Sequence, residues 1–382
     1  MSDIGRVLSR LDRIYALGGG RGANRPAFSS EEDAAHELAT AWMCDAGLEV
    51  TADQARNLYG RLRGLRPELP EVWSGSHLDS VPQGGRFDGP LGVVAALEAI
   101  ERVGQQERTL TVVAFRDEEG SRFGRGCFGS RALAGQLEAG EFEARDAEGV
   151  ALGDVVASST SGWLDARPRA FVEVHVEQGP VLAERDVPLG VVTSIVGLAR
   201  LETAFEGEAG HAGTTPMFGR ADALVAASDF VLRVRDAALA HPGAVATVGR
   251  LQVEPNAANV IPSRVTLIVD ARAPEEETLS SLLDAIGRGT VLRRTKPAPM
   301  ADEPRAALRA AINELAVPVV ELHSGAGHDA GVMASAGVPS AMLFVRSRHG
   351  GVSHSPDEHS DDADVAIAVD ALERALRTLA RE

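Results

Sequence analysis

Aromatic side chains make up only 4% of the 382 residues, so a core here must rest on Ala, Val, Leu and Ile. Cysteine is scarcer still, with two residues, Cys44 and Cys127. Two thiols cannot build a disulfide framework, and they fit a reducing, cytoplasmic setting. Either could react as a thiol, but neither lies in a partner motif. No run approaches the ~18 apolar residues of a membrane span. The N-terminus lacks a secretory apolar segment; Val7, Leu8, Leu11, Ile14 and Leu17 recur there at helical spacing, as in an amphipathic helix. No cluster of Lys and Arg appears, and the net charge is −17 with a pI near 5.1. A nucleic-acid partner needs a basic face that displaces counterions, so none is expected, and no membrane either. Internal repeats, low-complexity tracts, a G-x-S-x-G elbow, a Walker A loop and a G-x-G-x-x-G fingerprint are also missing.

What remains is an ordinary globular balance, 44% hydrophobic and 24% charged. The length suits about two domains of ~150 residues. A helix is expected from Ser29–Ser30, with Glu32 and Asp33 in its first turn, Ala35, Leu38, Ala39 and Trp42 on one face, His36 on its surface, and Gly47 past its end. Strands and helices then alternate. "EVWSGSHLDS" (71–80), "TLTVVAFRDEE" (109–119) and "RAFVEVHVEQG" (169–179) are apolar runs that end in polar, ligand-type residues, and "GPLGVVAALEAIERVG" (89–104) is a helix after a glycine-rich loop. Functional groups at the carboxyl ends of strands are where α/β sheets bind ligands. Near residue 198 the pattern changes to half-buried alternation, and near 304 the α/β pattern returns. The expected fold is therefore α/β: a discontinuous domain, residues 1–197 and 301–382, with a central mixed sheet flanked by helices. An α+β domain is inserted at 198–300.

Five strand-end stations carry the chemistry. In "GSHLDS", His77 is followed two residues later by Asp79, which could hold the second imidazole nitrogen and set the tautomer. Asp88, in "GGRFDGP", reads as a helix N-cap or as a carboxylate free to bridge two cations. Asp117, Glu118 and Glu119 close one strand; they are either a surface acidic turn or a ligand beside a general base, with a cation offsetting their repulsion. His175 ends a strand in "EVHVEQG", and His354 lies in "GGVSHSPDEHS". His323, His328 and His349 have no assigned role. Three imidazoles and two carboxylates suit zinc or manganese in a two-cation site, with cobalt and nickel also acceptable to such ligands.

The ordered motifs "GSHLDSVPQGGRFDGPLGV", "DEEGSRF", "HVEQGPVL", "GHAGTTPM", "PNAANVIPS", "VDAR", "SGAGHDA" and "GVSHSP" resemble the M20 metallopeptidase clan. More narrowly they are similar to its amidase branch, the N-carbamoyl-L-amino acid hydrolases and allantoate amidohydrolases. The resemblance implies two divalent ions per chain. His77, Asp88 and His175 would hold one; Asp88, Glu119 and His354 would hold the other, with Asp88 bridging. Glu118 would be the general base and Asp79 would orient His77. The inserted domain would be a lid and dimerisation domain of a homodimer, shortened between "DAIGRG" and "KPAPM". From it His211 would reach the partner's site and stabilise the oxyanion. Gln178, Asn259 and Arg272 would hold the amino-acid end of the substrate, Arg272 on its carboxylate. The activity implied is hydrolysis of a carbamoyl or acyl amino acid, with an aminoacylase or dipeptidase as the alternative. A non-catalytic binding protein on this scaffold would have lost Glu118 or a ligand, and all are present.

Overall fold

The structure, a computed structural model, describes residues 4–156 and 167–381. In chain order its strands are β1 (Glu49–Ala52), β2 (Leu58–Leu62), β3 (Val72–His77), β4 (Leu110–Phe115), β5 (Ala170–Val176) and β6 (Leu189–Ile195). Then come β7 (Gly197–Glu206), β8 (Val245–Glu254), β9 (Arg264–Ala273), β10 (Thr290–Thr295), β11 (Ala298–Pro299), β12 (Glu321–Ser324) and β13 (Ser340–Val345). They form two sheets, one ordered β1-β2-β4-β3-β5-β13-β6-β11 with β12 paired to β6, the other ordered β10-β7-β9-β8. The chain divides into two compact units. One runs to Thr193 and adds Pro299–Leu322 and the chain from Gly327 on; the other comprises Ser194–Ala298 with His323–Ala326.

The first sheet is mixed. β3 pairs in parallel with β4 and β5, and β5 with β13, whereas β1 pairs antiparallel with β2, β2 with β4, and β6 with β13. Every residue of β3, β4, β5 and β13 is buried. Strands covered on both faces read as continuous apolar runs, and the expected stretches have that character. Helices Pro90–Val103, Asp302–Glu314 and Asp362–Ala380 pack against this sheet. Because the central strands are parallel, their carboxyl ends emerge at one edge, with His77 level with Phe115. The second sheet is antiparallel throughout. Burial alternates along β7 and β9, and helices Ala223–Leu239 and Glu276–Ile286 close one face over Phe205, Phe230, Leu267 and Val269. β10 occupies the stretch that reads as shortened, and it pairs with β7.

Helix Ser30–Asp45 begins as its sequence suggests: Ser29 accepts the Glu32 N–H at 3.2 Å, and Glu31, Glu32 and Asp33 fill the first turn. His36 does not lie on the surface. It is buried, 3.7 Å from the Glu32 carboxylate, because the helix turns a polar stripe inward to meet Arg116. Glu32 accepts from the Phe28 N–H at 2.5 Å and from Arg116 Nη1 at 2.8 Å. Arg116 directly precedes the Asp117–Glu119 segment, so this buried pair anchors the end of β4. Burial opposes the Glu32 charge, but the facing His36 and Arg116 override it and hold its pKa at about 2, against an ordinary 4.5. The depressed value stabilises the fold fully above about 4.5, by on the order of 3 kcal/mol, and the gain is lost as pH falls toward 2. Glu32→Gln should therefore lower the melting temperature by roughly 5 °C or more at pH 7, with a much smaller gap at pH 3. Thermal melts of both proteins across that range check it; an undiminished gap at pH 3 contradicts the charge-based account.

Candidate metal centre

His77 is the last residue of β3 and is 1% exposed. Its Nδ1 lies 3.2 Å from Asp79 Oδ1, and its Nε2 lies 3.6 Å from Asp88 Oδ1 and 3.8 Å from Glu118 Oε2. Asp79 does more than face the imidazole. Its two oxygens accept the backbone N–H groups of Glu118 and Glu119, each at 3.1 Å, so one carboxylate ties the end of β3 to the end of β4. The acidic turn is held further by backbone bonds from Cys127 to the Glu118 carbonyl and from Phe128 to the Asp117 carbonyl. Glu118 and Glu119 thus form an inward-facing pair, not a surface acidic cluster.

Asp88 is not an N-cap. Helix Pro90–Val103 is capped by Gly89 with no side-chain bond, and the Asp88 carboxylate turns into the site. Its Oδ1 faces His175 Nε2 at 3.1 Å, and its Oδ2 faces His354 Nε2 at 3.4 Å. The same His354 nitrogen is 3.2 Å from Glu119 Oε2. Two triads therefore share Asp88, namely His77, Asp88 and His175, and Asp88, Glu119 and His354, each able to bring three ligand atoms within 4.8 Å of one another. Gly89 allows the first to close: its φ is +80°, and an added Cβ would lie 2.4 Å from the His77 ring.

These donors suit a divalent cation. His175 Nδ1 is 2.9 Å from the Val176 carbonyl, so in the neutral ring it carries the hydrogen and leaves the Nε2 lone pair free for a cation on the side that faces Asp88. His77 Nε2 is buried and makes no hydrogen bond, despite the carboxylates around it. Protons take the place of positive charge here. Burial acts against a charged His77, yet Asp79, Asp88 and Glu118 raise its pKa well above the ordinary value. The Glu119 carboxylate, against the cost of partial burial, lifts His354 to about 9. Burial raises Glu118 well above the usual carboxylate range, against the pull of His77 and with help from Asp329 and Glu119. Asp88 goes the other way: His175 and His77 outweigh its burial and hold it well below that range.

Several neighbours escape a reading of the sequence. Gln178 Nε2 donates to Asp88 Oδ2 at 2.9 Å and to Ser353 Oγ at 3.0 Å. The His328 ring packs edge-on against His175 at 4.5 Å, and burial, with the nearby His175, lowers its pKa well below 6.5. Cys127 Sγ meets Glu118 Oε1 at 3.4 Å, and burial, reinforced by that carboxylate, raises the thiol well above 9.0. Asp329, fully buried, accepts the Ser130 hydroxyl at 2.5 Å and is raised to about 8 by burial and by Glu173. His323 and His349 are exposed, and His349 Nδ1 bonds the Asp357 carbonyl at 2.8 Å.

His211, Asn259 and Arg272 belong to the second unit. Within it the His211 and Asn259 loops are joined, with the Ala212 N–H donating to the Asn259 carbonyl at 3.0 Å. His211 is exposed, and its Nδ1 accepts the Gly213 and Thr214 N–H groups at 3.1 and 3.2 Å, which places the ring hydrogen on Nε2. Arg272, on β9, is engaged by Asp270 at 2.8 Å and by the Gly325 carbonyl at 2.9 Å.

Residues 73–378 match Peptidase family M20/M25/M40. The chain is 38% identical to an N-carbamoyl-L-amino acid amidohydrolase of Geobacillus stearothermophilus, with 94% of each covered. It is 36% identical to an allantoate amidohydrolase of Bacillus subtilis (strain 168), covering 96% of this chain and 95% of the relative. A crystal structure of an amidase of the hydantoinase/carbamoylase family from Burkholderia multivorans superposes with a TM-score of 0.92 at 32% identity, covering 100% of this chain and 98% of that one. The chain belongs to the M20/M25/M40 peptidase family. Within it, the branch is that of the carbamoylase and allantoate amidohydrolase enzymes, hydrolases of C–N bonds.

The glycine at 89 gives a direct test of the first triad. Gly89→Ala should weaken divalent-cation binding at least about tenfold, since ligand-orienting contacts carry that much. Gly104→Ala is the control, with φ +66° but open space around the added Cβ. Manganese titration of the metal-depleted proteins decides it; equal losses in both would assign the effect to backbone strain alone.

Proposed function

We propose that this chain is a two-metal amidohydrolase that cleaves the carbamoyl C–N bond of a small ureido carboxylate, either an N-carbamoyl-L-amino acid or allantoate. The observation that carries the reading is the pair of triads sharing Asp88, with Glu118 beside them and free of both. His77, Asp88 and His175 would hold one cation, and Asp88, Glu119 and His354 the other. Bound there, two divalent cations supply a water of near-neutral pKa and polarise the carbonyl to be attacked. Zinc and manganese suit these ligands best.

The residues divide the remaining work. Asp79 holds the His77 ring and the backbone of Glu118 in one geometry. Glu118 takes the proton from the attacking water and delivers it to the leaving nitrogen, a role for which a raised pKa is suited. Addition of water at the ureido carbon breaks its bond to the amino-acid nitrogen. The free amino acid is released, and the carbamic acid left behind falls to ammonia and carbon dioxide. His211, with its hydrogen on Nε2, is a donor for the oxyanion; loss of one such donor typically costs about 10²–10³ in rate. Arg272 offers Nη2 to the substrate carboxylate, and Asn259 and Gln178 complete that end. Two unpaired cysteines fit a cytoplasmic enzyme. A panel of allantoate, ureidoglycolate, N-carbamoyl-β-alanine, N-carbamoyl, N-formyl and N-acetyl L-amino acids, and a dipeptide tests the reading. Ureido substrates should lead by at least about tenfold in kcat/KM, a step of 1.4 kcal/mol. A lead for the acetyl compound or the dipeptide would favour an aminoacylase or dipeptidase.

The second unit supports a homodimer. Val225, Leu232 and Leu239 repeat at a spacing of seven along helix Ala223–Leu239 and stay exposed, and β8, which pairs on one side only among the described residues, leaves Val245 and Leu251 exposed. Such a surface suits self-association. If the partner's site borrows His211, two dead variants should complement each other. In a mixed dimer of a Glu118→Gln chain and a His211→Ala chain, one site carries both lesions and the other neither. Random reassortment should then restore roughly a quarter of wild-type activity. Demonstrated subunit exchange with no recovery would place His211 in its own chain's site or in neither.

A further inference from the structure

The loop after β13 gives Asp88 more than His354. Glu358 is 6% exposed, and its Oε1 accepts the backbone N–H groups of Phe87 at 2.8 Å and Asp88 at 3.1 Å. Its other oxygen, Oε2, lies 2.7 Å from Ser353 Oγ. The approach is tight: a Cβ at Gly85 would stand 2.1 Å from this carboxylate. Ser353 Oγ is also 3.1 Å from Asp88 Oδ2, the oxygen that faces His354. Gln178 Nε2 reaches both Asp88 Oδ2 and Ser353 Oγ.

A hydroxyl has one hydrogen to give, and two carboxylates compete for this one. Gln178 Nε2 already takes one lone pair of Asp88 Oδ2, so a hydrogen from Ser353 would occupy the other, which the second triad needs. Glu358 sits closer to Ser353 by 0.4 Å, the difference of 3.1 and 2.7 Å. We propose that Glu358 is a positioning residue: it draws the Ser353 hydrogen away from Asp88 and so keeps Asp88 Oδ2 open for the cation shared with Glu119 and His354. It also fixes the Asp88 backbone, but the steering of the hydrogen is a separate task. This rests on the reading of that triad as a cation site.

Glu358→Gln separates the two tasks. The amide carbonyl can still accept from Phe87 and Asp88, so the anchor survives. The amide NH₂ now donates to Ser353 Oγ, and the Ser353 hydrogen turns onto Asp88 Oδ2. The full chain, depleted of metal, is titrated with Co²⁺ and followed by calorimetry and visible absorption. Wild type should bind two ions. Glu358→Gln should weaken the second by roughly 10- to 100-fold, the usual cost of losing a partner that orients a ligand, and leave the first within about threefold. Adding Ser353→Ala to it should return the second ion to within about threefold of wild type, a recovery that a purely structural role would not show. Ser353→Ala alone should leave both ions within about threefold. A double variant as weak as Glu358→Gln would reduce Glu358 to a backbone anchor and overturn the proposal. So would a second ion bound about tenfold more tightly by Ser353→Ala alone, because the hydrogen would then already lie on Asp88. Should Glu358→Gln fail to fold, seen as loss of both ions and of a cooperative melt, the Ser353→Ala arm still decides. A wild-type chain that binds fewer than two ions overturns the cation-site reading itself.

Discussion

Carboxylates of Asp79, Asp88, Glu118 and Glu119 crowd one sheet edge, and burial raises Glu118 and Glu119 above the usual carboxylate range. Without positive charge among them the arrangement could not persist in ionised form. The imidazoles of His77, His175 and His354 supply part of it, and the triads they form with these acids have the composition of a two-cation site. Much of the first unit can be understood as holding these mutually repelling groups at fixed separation.

That holding is done by backbone more than by side-chain packing. Asp79 accepts two main-chain N–H groups from the β4 end, Glu358 accepts two from the Asp88 loop, and Arg116, one residue before the acidic run, is clamped by Glu32. Each clamp is itself a buried carboxylate that accepts from donors, which offsets part of the cost of burial where it arises. A rigid frame of this kind matters because a catalytic constellation tolerates only small errors in position. The steering of one serine hydrogen by Glu358 extends the same logic from heavy atoms to protons.

The second unit is built differently. Its antiparallel sheet is covered on one face by two helices, and it leaves an apolar helix stripe and, on β8, Val245 and Leu251 exposed. Its candidate substrate groups, His211, Asn259 and Arg272, lie on loops and on a strand end; local backbone sets the His211 tautomer, and Asp270 and the Gly325 carbonyl hold Arg272. In the proposed reaction the candidate cation ligands lie on the first unit, while His211, Asn259 and Arg272 lie on the second.

Much of this was legible in the residues themselves. Period-two alternation marked β7, continuous apolar runs marked β3, β4 and β5, and the acids and histidines closing those runs marked the site, because parallel strands bring their carboxyl ends to one edge. Local signals also placed Ser29 as a cap. What the residues could not show were partnerships across long separations. Asp88 reads as a cap before it reads as a bridge, until Gly89 is seen to cap the helix and Asp88 to turn inward. His36 reads as a surface residue until Arg116, 80 positions further on, draws Glu32 and its stripe inside. Glu358 carries no local mark at all, since its partners Phe87 and Asp88 are 271 and 270 residues away. Periodicity and strand ends are properties of a few neighbouring residues, so the sequence by itself determined them. The aim of a carboxylate and the destination of a hydrogen depend on which distant loop folds beside it, and only the tertiary structure decides that.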